Sequence, residues 1–259
     1  MSTDPSGETA LVTGATAGLG AEFAQQLAKA RINLVLVARD AARLQAKAVR
    51  LRHEFGVAVE ILPADLLTDD GVAAVVARLQ EGDAPVSVLV NNAGFGLAKP
   101  FDETTPAEEA DHLKILVAVP MALMQAALGP MLERGRGQII NVASVAGFVP
   151  RGSYGAAKAW VVSFSRWANA AYGPRGVGVT AVCPGFVHTE FHQRMGASTA
   201  NIPSWMWLEP ERVVREGLVH AAAGKAISIP SRRYAALVLL SRFVPSHWAA
   251  AAAKRGRPA

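Results

Sequence analysis

The stretch Thr9-Ala10-Leu11-Val12-Thr13-Gly14-Ala15-Thr16-Ala17-Gly18-Leu19-Gly20 decides how the rest of the chain is read. Its first five residues are short and apolar, as in a strand. Three glycines follow within seven positions, and Ala21 to Ala30 then reads as a helix. Glycine permits positive φ and lets the backbone approach a ligand closely. A helix beginning behind such a turn presents free N–H groups and the positive end of its dipole to an anion. An isolated glycine cluster equally describes an ordinary tight turn. Here it lies between a strand and a helix near the N-terminus, the setting of a phosphate-binding turn.

Working outward, Ile32 to Ala38 is a nearly continuous apolar run, as expected of a strand covered on both faces. Ala41 to Phe55 reads as a helix with Arg, Lys and Gln along one side, and Val57 to Leu62 as the next strand. Leu67 to Glu81 reads as a helix with Thr68 and Asp69 at its start, residue types that satisfy free N–H groups. Val86 to Val90, Gln138 to Val142 and Gly178 to Val182 read as further strands. This alternation predicts an α/β fold, a single doubly wound Rossmann-type parallel sheet with helices on both faces. No repeat or Pro/Gly/Ser-rich linker divides the 259 residues, so residues 1–259 are expected as a single domain. After Pro184 the regular alternation is lost. Residues from about 190 to 210 are expected as a substrate lid, and those from about 225 to 259 as a basic C-terminal extension.

Composition narrows the function classes. Hydrophobic residues make up 51% and charged residues 18%, enough to bury a large core. Cys183 is the single cysteine, which excludes an internal disulfide framework and a cysteine-based zinc site. The polar stretch Met1 to Glu8 has no apolar signal region, and the expectation is a cytoplasmic protein. The formal charge of +5 is uneven: residues 232–259 hold six of the 26 basic side chains and no acidic one. The remaining body is near neutral, which argues against a nucleic-acid partner. Ile115 to Leu132 approaches the length of a membrane span but is interrupted by Pro120, Gln125, Gly129 and Pro130; it reads as a buried interface helix. Tyr234 to Leu240 is apolar with arginines around it, and Lys254, Arg255 and Arg257 follow. It reads as packing against the body or a partner chain, with contact to an anionic membrane surface as the alternative. It is too short to span a bilayer.

A second-strand end about 20 residues beyond the glycine turn is where the adenosine ribose of a dinucleotide is read. That position falls on Ala38-Arg39-Asp40. Arg39 offers a cation to the 2′-phosphate of NADP(H), the favoured cofactor; NAD(H) stays open through Asp40.

Tyr154 and Lys158 are spaced i, i+4 and share a face if the segment is helical. A lysine ammonium near a phenol favours the phenolate and lowers its pKa. Such a tyrosine can give a proton to a carbonyl being reduced, or take one from an alcohol being oxidised. Ser144, behind the strand that ends at Val142, can hydrogen-bond the substrate oxygen as charge builds on it. A surface Tyr–Lys pair and a turn serine would be the bland alternative.

Five motifs occur in order: Thr13-Gly14-x-x-x-Gly18-x-Gly20, Asn91-Asn92-Ala93-Gly94, Ser144 in Val142–Gly147, Tyr154-Gly155-Ala156-Ala157-Lys158, and Pro184-Gly185-Phe186-Val187-His188-Thr189. Together, over roughly residues 8–190, they resemble the short-chain dehydrogenase/reductase family. The resemblance implies hydride transfer between a nicotinamide dinucleotide and a carbonyl or alcohol, with Ser144, Tyr154 and Lys158 catalytic. It implies cofactor contacts from Gly14, Thr16, Ala17, Gly18, Leu19, Gly20, Arg39, Asp65, Leu66, Asn92, Ala93, Gly94, Tyr154, Lys158, Pro184, Gly185, Val187 and Thr189. Lys158 would also bond the nicotinamide ribose, Asp65 the adenine, and Thr189 would lie near the nicotinamide amide. Asn91 would steady the central strand. It also implies a homodimer or homotetramer, through Ile115–Leu132 and the helix after Tyr154.

Two features depart from the family pattern. Many members carry an asparagine where this chain has Leu116, which leaves their water-borne proton relay to be rerouted or turnover to be slow. The Ser144–Tyr154 loop is a few residues shorter, and Ser153 adjoins Tyr154. The lid region carries Phe191, Met195, Trp205, Met206, Trp207 and Leu208, which point either to an apolar substrate or to packing of the lid itself. His188 and His192 have no partner at metal-ligand spacing, and no metal is expected. A redox-sensing dinucleotide binder with little turnover is the competing reading.

Overall fold

The computed structural model describes residues 7–81, 84–191, 195 and 202–241. Among these, seven strands form one parallel sheet. They are β1 (Thr9–Thr13), β2 (Asn33–Ala38), β3 (Val59–Pro63), β4 (Val86–Asn91), β5 (Gly137–Val142), β6 (Val177–Val182) and β9 (Ile227–Ser228). Their order across the sheet is β3-β2-β1-β4-β5-β6-β9. The chain therefore steps outward from β1 to β3, then returns to the other side of β1 at β4. The crevice beyond the carboxyl ends of β1 and β4 is where such sheets bind ligands.

Helices α1 (Gly18–Lys29), α2 (Ala41–Phe55), α3 (Asp69–Gln80), α4 (Pro106–Leu113), α5 (Val119–Glu133), α6 (Gly152–Tyr172), α7 (Pro210–Ala222) and α8 (Arg232–Ser241) cover it. Strand residues point alternately to opposite faces, so each strand feeds two cores. Val12, Leu34, Leu36 and Ile140 pack with Phe23, Leu27, Leu44 and Val213 on one side. Leu11, Val35, Leu89 and Ile139 pack with Val75, Leu79, Leu123 and Met131 on the other.

Most boundaries follow the sequence closely, and three features do not. Helix α1 begins at Gly18, inside the glycine turn, three residues before the expected start. The apolar run Ile115–Leu132 is not one regular helix, because a π-helical turn at Lys114–Ala118 joins α4 to α5. Pro120 has no N–H to give to the carbonyl of Leu116, and its ring crowds that carbonyl, so the ladder widens there. The helical run Pro106–Glu133 is long and apolar enough to cross a membrane by length and composition. In the fold, α5 buries Val119, Leu123, Met124, Ala127 and Met131. Lastly, the alternation does not end at Pro184. Helix α7 carries the chain back to β9, which pairs with β6 through only Ala181–Ile227 and Val182–Ser228. A two-residue strand leaves no periodicity to detect. Before α7, the short strands β7 (Phe186–Val187) and β8 (Trp207–Leu208) pair with each other apart from the main sheet.

Candidate active site

The glycine turn is built as a cradle. Gly14 and Gly18 sit at φ +66° and +53°, where a side chain would be strained. A Cβ on Gly20 would collide with the carbonyl oxygen of Gly14 and the amide of Asn92. Thr13 ties the turn to the loop after β4. Its hydroxyl donates to the Val90 carbonyl (3.3 Å) and accepts from the N–H groups of Asn92 (2.9 Å) and Ala93 (3.0 Å). The Asn92 amide donates in return to the carbonyls of Thr13 and Gly14. Thr189 stands over Gly18, so the loop after β6 closes the third side. One further feature fits a dinucleotide. Helices α2, α3 and α4 are capped by the side chains of Asp40, Thr68 and Thr105, whereas α1, with Ala17 before it, like α6 and α7, has no side-chain cap. Its first N–H groups are left for a ligand such as a pyrophosphate.

The remaining expected cofactor residues surround this cradle. Thr16, Ala17 and Leu19 are partly exposed on the turn, and Arg39 is exposed at the end of β2. The carboxylate of Asp40 accepts the N–H of Arg43 as the α2 cap. Asp65 accepts the N–H of Leu67 (3.0 Å), while Leu66 points into the core. Gly94 is exposed and faces Leu116, 2% exposed, across the loop. The carbonyl of Pro184 accepts the N–H of Val145 (3.0 Å), joining the Ser144 loop to the Gly185–Thr189 loop. Asn91, buried, donates to Asn141 (2.9 Å), which donates to Ser165 (3.0 Å), linking β4, β5 and α6.

Ser144, Tyr154 and Lys158 come together at the end of β5 and the start of α6. The Lys158 ammonium donates to the Val142 carbonyl (2.7 Å) and lies 5.8 Å from the centre of the Tyr154 ring. Burial pulls the Lys158 pKa down to about 8. Burial also pushes the Tyr154 hydroxyl above its ordinary value, and the neighbouring Ser144 hydroxyl only partly offsets this. The Arg151 charge acts in the same lowering direction as Ser144, and burial outweighs both. Ser144 also accepts the N–H of Ala146, which fixes its side chain.

An apolar wall closes over this group. Phe191 tilts against Tyr154 with ring centres 6.3 Å apart, and Phe191 and Met195 both press on Gly96. Other lid aromatics serve packing: Trp207 stacks on His188 (4.6 Å) and tilts against Phe186. His192 lies outside the described residues.

Two residues at the site had not been singled out. Tyr234, expected only as part of an apolar tail, lays its ring against Gly185. Its hydroxyl accepts the N–H of Phe186 (3.1 Å) and donates to the carbonyl of Met206 (2.8 Å). His112 is buried in stacked contact with Tyr154, ring centres 6.1 Å apart. No local signal marks it, because its neighbour Tyr154 lies far along the sequence.

Comparison with known proteins agrees with this geometry. Residues 8–200 match the family profile of the short chain dehydrogenases. A Streptomyces coelicolor protein, provisionally named a ketoacyl reductase, is 38% identical over 212 residues, 77% of each chain. A short-chain dehydrogenase from Sphingobium yanoikuyae, solved in complex with NADPH, superposes with a TM-score of 0.83 at 35% identity over 91% of this chain and 94% of its own. The bulky-bulky ketone specific alcohol dehydrogenase from Comamonas testosteroni superposes with a TM-score of 0.79 at 31% identity over 91% and 92%. With an uncapped helix at its glycine cradle and a serine, tyrosine and lysine gathered beside it, this chain belongs to the short-chain dehydrogenase family and is an NAD(P)-dependent oxidoreductase.

Proposed function

We propose that the enzyme reduces bulky apolar ketones with NADP(H). The convergence of Tyr154, Lys158 and Ser144 beneath the Phe191–Met195 wall carries this reading. A dinucleotide held by its pyrophosphate at the glycine cradle would supply the hydride from its nicotinamide. Tyr154 gives its hydroxyl proton to the carbonyl oxygen, and Ser144 hydrogen-bonds that oxygen as charge builds. Lys158, held by the Val142 carbonyl, stabilises the phenolate that remains.

NADP(H) is supported by the cations at the end of β2 and along the start of α2. Arg39 is exposed there, and Arg43, Lys47 and Arg50 line a cleft of about 270 Å³ with Thr16. Asp40, the acidic candidate for a ribose contact, is engaged as a helix cap. The activities for which these relatives are named, on ketoacyl groups and bulky ketones, agree with the apolar wall. A cytoplasmic homo-oligomer belongs to the same reading. Trp160, Phe164 and Trp167 form an aromatic stripe along α6, the first pair stacked and the second tilted, with Trp167 54% exposed, a surface suited to a second copy. Sedimentation velocity tests this: a monomer at micromolar concentration removes that part.

The test of the main reading is NADPH consumption against aryl ketones and 3-oxoacyl thioesters, in parallel with NADH. We expect faster turnover with NADPH, and a loss of about 10²–10⁴-fold in Tyr154→Phe. Leu116, at a position where the family resemblance leads one to expect asparagine, favours a second reading, a redox sensor with little turnover. Undiminished NADPH binding with no turnover on any ketone would select it.

A further inference from the structure

Helix α8 turns most of its surface outward. Ser231 just before it, and Tyr234 and Val238 on it, are buried, so it rests on the body along one narrow stripe. That inner stripe belongs to the site, since Tyr234 bonds the N–H of Phe186 and the carbonyl of Met206. The outer side of the apolar run does not pack. Leu237, Leu239 and Leu240 are 43%, 55% and 61% exposed. Packing against the body, one of the expectations for Tyr234–Leu240, therefore accounts for Tyr234 and Val238 and leaves the leucines unexplained.

Arg232 and Arg233 stand exposed at the first turn of the same helix. Among the described residues neither is in an ion pair, and Arg233 donates to the Trp205 carbonyl (3.3 Å). Trp205 is 51% exposed, so the outward patch continues from α8 into the segment before β8. Single exposed apolar side chains are ordinary on a soluble surface. Three leucines on one ten-residue helix beside an exposed tryptophan make a patch, and a patch rimmed by cations points to an interaction. The helix carries no carboxylate, and residues 232–259 hold six basic side chains and no acidic one.

Charge decides what covers this face. A second copy seated on it would desolvate both arginines against a helix that offers them no carboxylate, which like charge and desolvation oppose. An anionic phospholipid surface meets both halves of the patch. Its headgroup boundary takes leucine and tryptophan side chains, and its phosphates take arginines. We propose that α8 docks this enzyme on a membrane surface rich in anionic phospholipid. Leu237, Leu239, Leu240 and Trp205 enter the headgroup boundary while Arg232 and Arg233 reach lipid phosphates beside them. The helix lies in the plane of the surface, because ten residues rise only about 15 Å. A small apolar area alone attaches weakly, so the docking is reversible and needs the charges as well. Its consequence for the reaction rests on the apolar-ketone reading above: the helix that fastens the far wall of the site also meets the layer in which such ketones collect.

The test floats the full-length protein, without cofactor or ketone, with vesicles of phosphatidylcholine and phosphatidylglycerol in equal amounts, and with phosphatidylcholine alone. The wild type should float with the anionic vesicles at about 0.1 M salt and be largely released at about 0.5 M, where the screening length is shorter. It should stay down with phosphatidylcholine alone. Leu239→Glu combined with Leu240→Glu, and Arg232→Gln combined with Arg233→Gln, should each cut the bound fraction about tenfold or more. These side chains are exposed, so thermal midpoints should stay within about 2 °C of the wild type. If the glutamate pair does not fold, Leu239→Ser with Leu240→Ser takes its place. A wild type that stays down with anionic vesicles overturns the proposal, as does equal flotation with phosphatidylcholine alone or undiminished flotation of the leucine variant. Sedimentation velocity without lipid adds one more refuting outcome: a wild-type dimer that the leucine variant turns into monomers would assign this face to a second copy. Flotation is read without ketone, so a protein that floats but reduces no ketone overturns the ketone reading and leaves the docking in place.

Discussion

Replacing Thr13 with valine isolates the joint that holds the glycine turn to the loop after β4. The change keeps the branched shape and removes one hydroxyl, at a position 1% exposed. That hydroxyl makes three hydrogen bonds, one donated to Val90 and two accepted from Asn92 and Ala93. An unmade bond to a buried group costs about 1–3 kcal/mol. Asn92 and Ala93 are half-buried, so water recovers part of the loss, and the total should be about 2–4 kcal/mol. For a chain of this size that lowers the thermal midpoint by about 4–15 °C. The Asn92 side chain keeps its own bonds to Thr13 and Gly14, so the loops stay in contact but are less well ordered. NADPH should consequently bind more weakly, and saturating NADPH should recover part of the lost stability. Urea unfolding with and without NADPH measures both effects. A loss below about 0.5 kcal/mol, with unchanged NADPH affinity, would refute the reasoning: the cradle would then not depend on this hydroxyl.

Three further outcomes can be checked directly. Arg39→Ala should weaken NADPH binding about tenfold or more and leave NADH binding nearly unchanged, by calorimetric titration; equal losses would remove Arg39 as the phosphate contact. Lys158 holds its proton only to about pH 8, against 10.5 for an ordinary lysine, so the ammonium is present below pH 8 and lost above it. Ketone reduction should accordingly decline as pH rises through about 8, and a rate that holds level to pH 10 would show that the ammonium is not needed. Tyr234→Phe removes the hydroxyl bridge and keeps the ring against Gly185. It should cost about 1–2 kcal/mol in urea unfolding and raise the ketone KM more than it lowers kcat; an unaltered KM would detach Tyr234 from the lid.

Much of this was legible in the residues because it is written in local signals. Helix α2 runs from Ala41 to Phe55 as expected, with Asp40 as its cap and Gly56 in the left-handed conformation at its end. Strands covered on both faces announced themselves as unbroken apolar runs, and the glycine turn stood where its spacing required. What stayed hidden depends on contacts distant in sequence. The π-helical turn lies inside a run whose apolar residues look uniform, and only Pro120 hinted at it. The two-residue strand β9 exists because β6 offers it an edge. The direction of the Tyr154 pKa shift could not be read from its spacing to Lys158, since burial decides it. His112 was passed over for the same reason: its meaning comes from Tyr154, 42 positions later in the chain.

Tyr234 also bears on how the protein is made. The parallel sheet from β1 to β6 is complete by Val182, and the chain is synthesised from its N-terminus. The residue that fastens the Gly185 loop to Met206 comes 52 positions after that point. A nascent chain can therefore own most of its core and its glycine cradle while the far wall of the site is still unfastened. Products cut short before Tyr234 would carry the scaffold without its closure, exposing the apolar lid side chains to proteases and to one another. The far wall of the site is thus fastened only by a residue of α8, the last helix of the described chain.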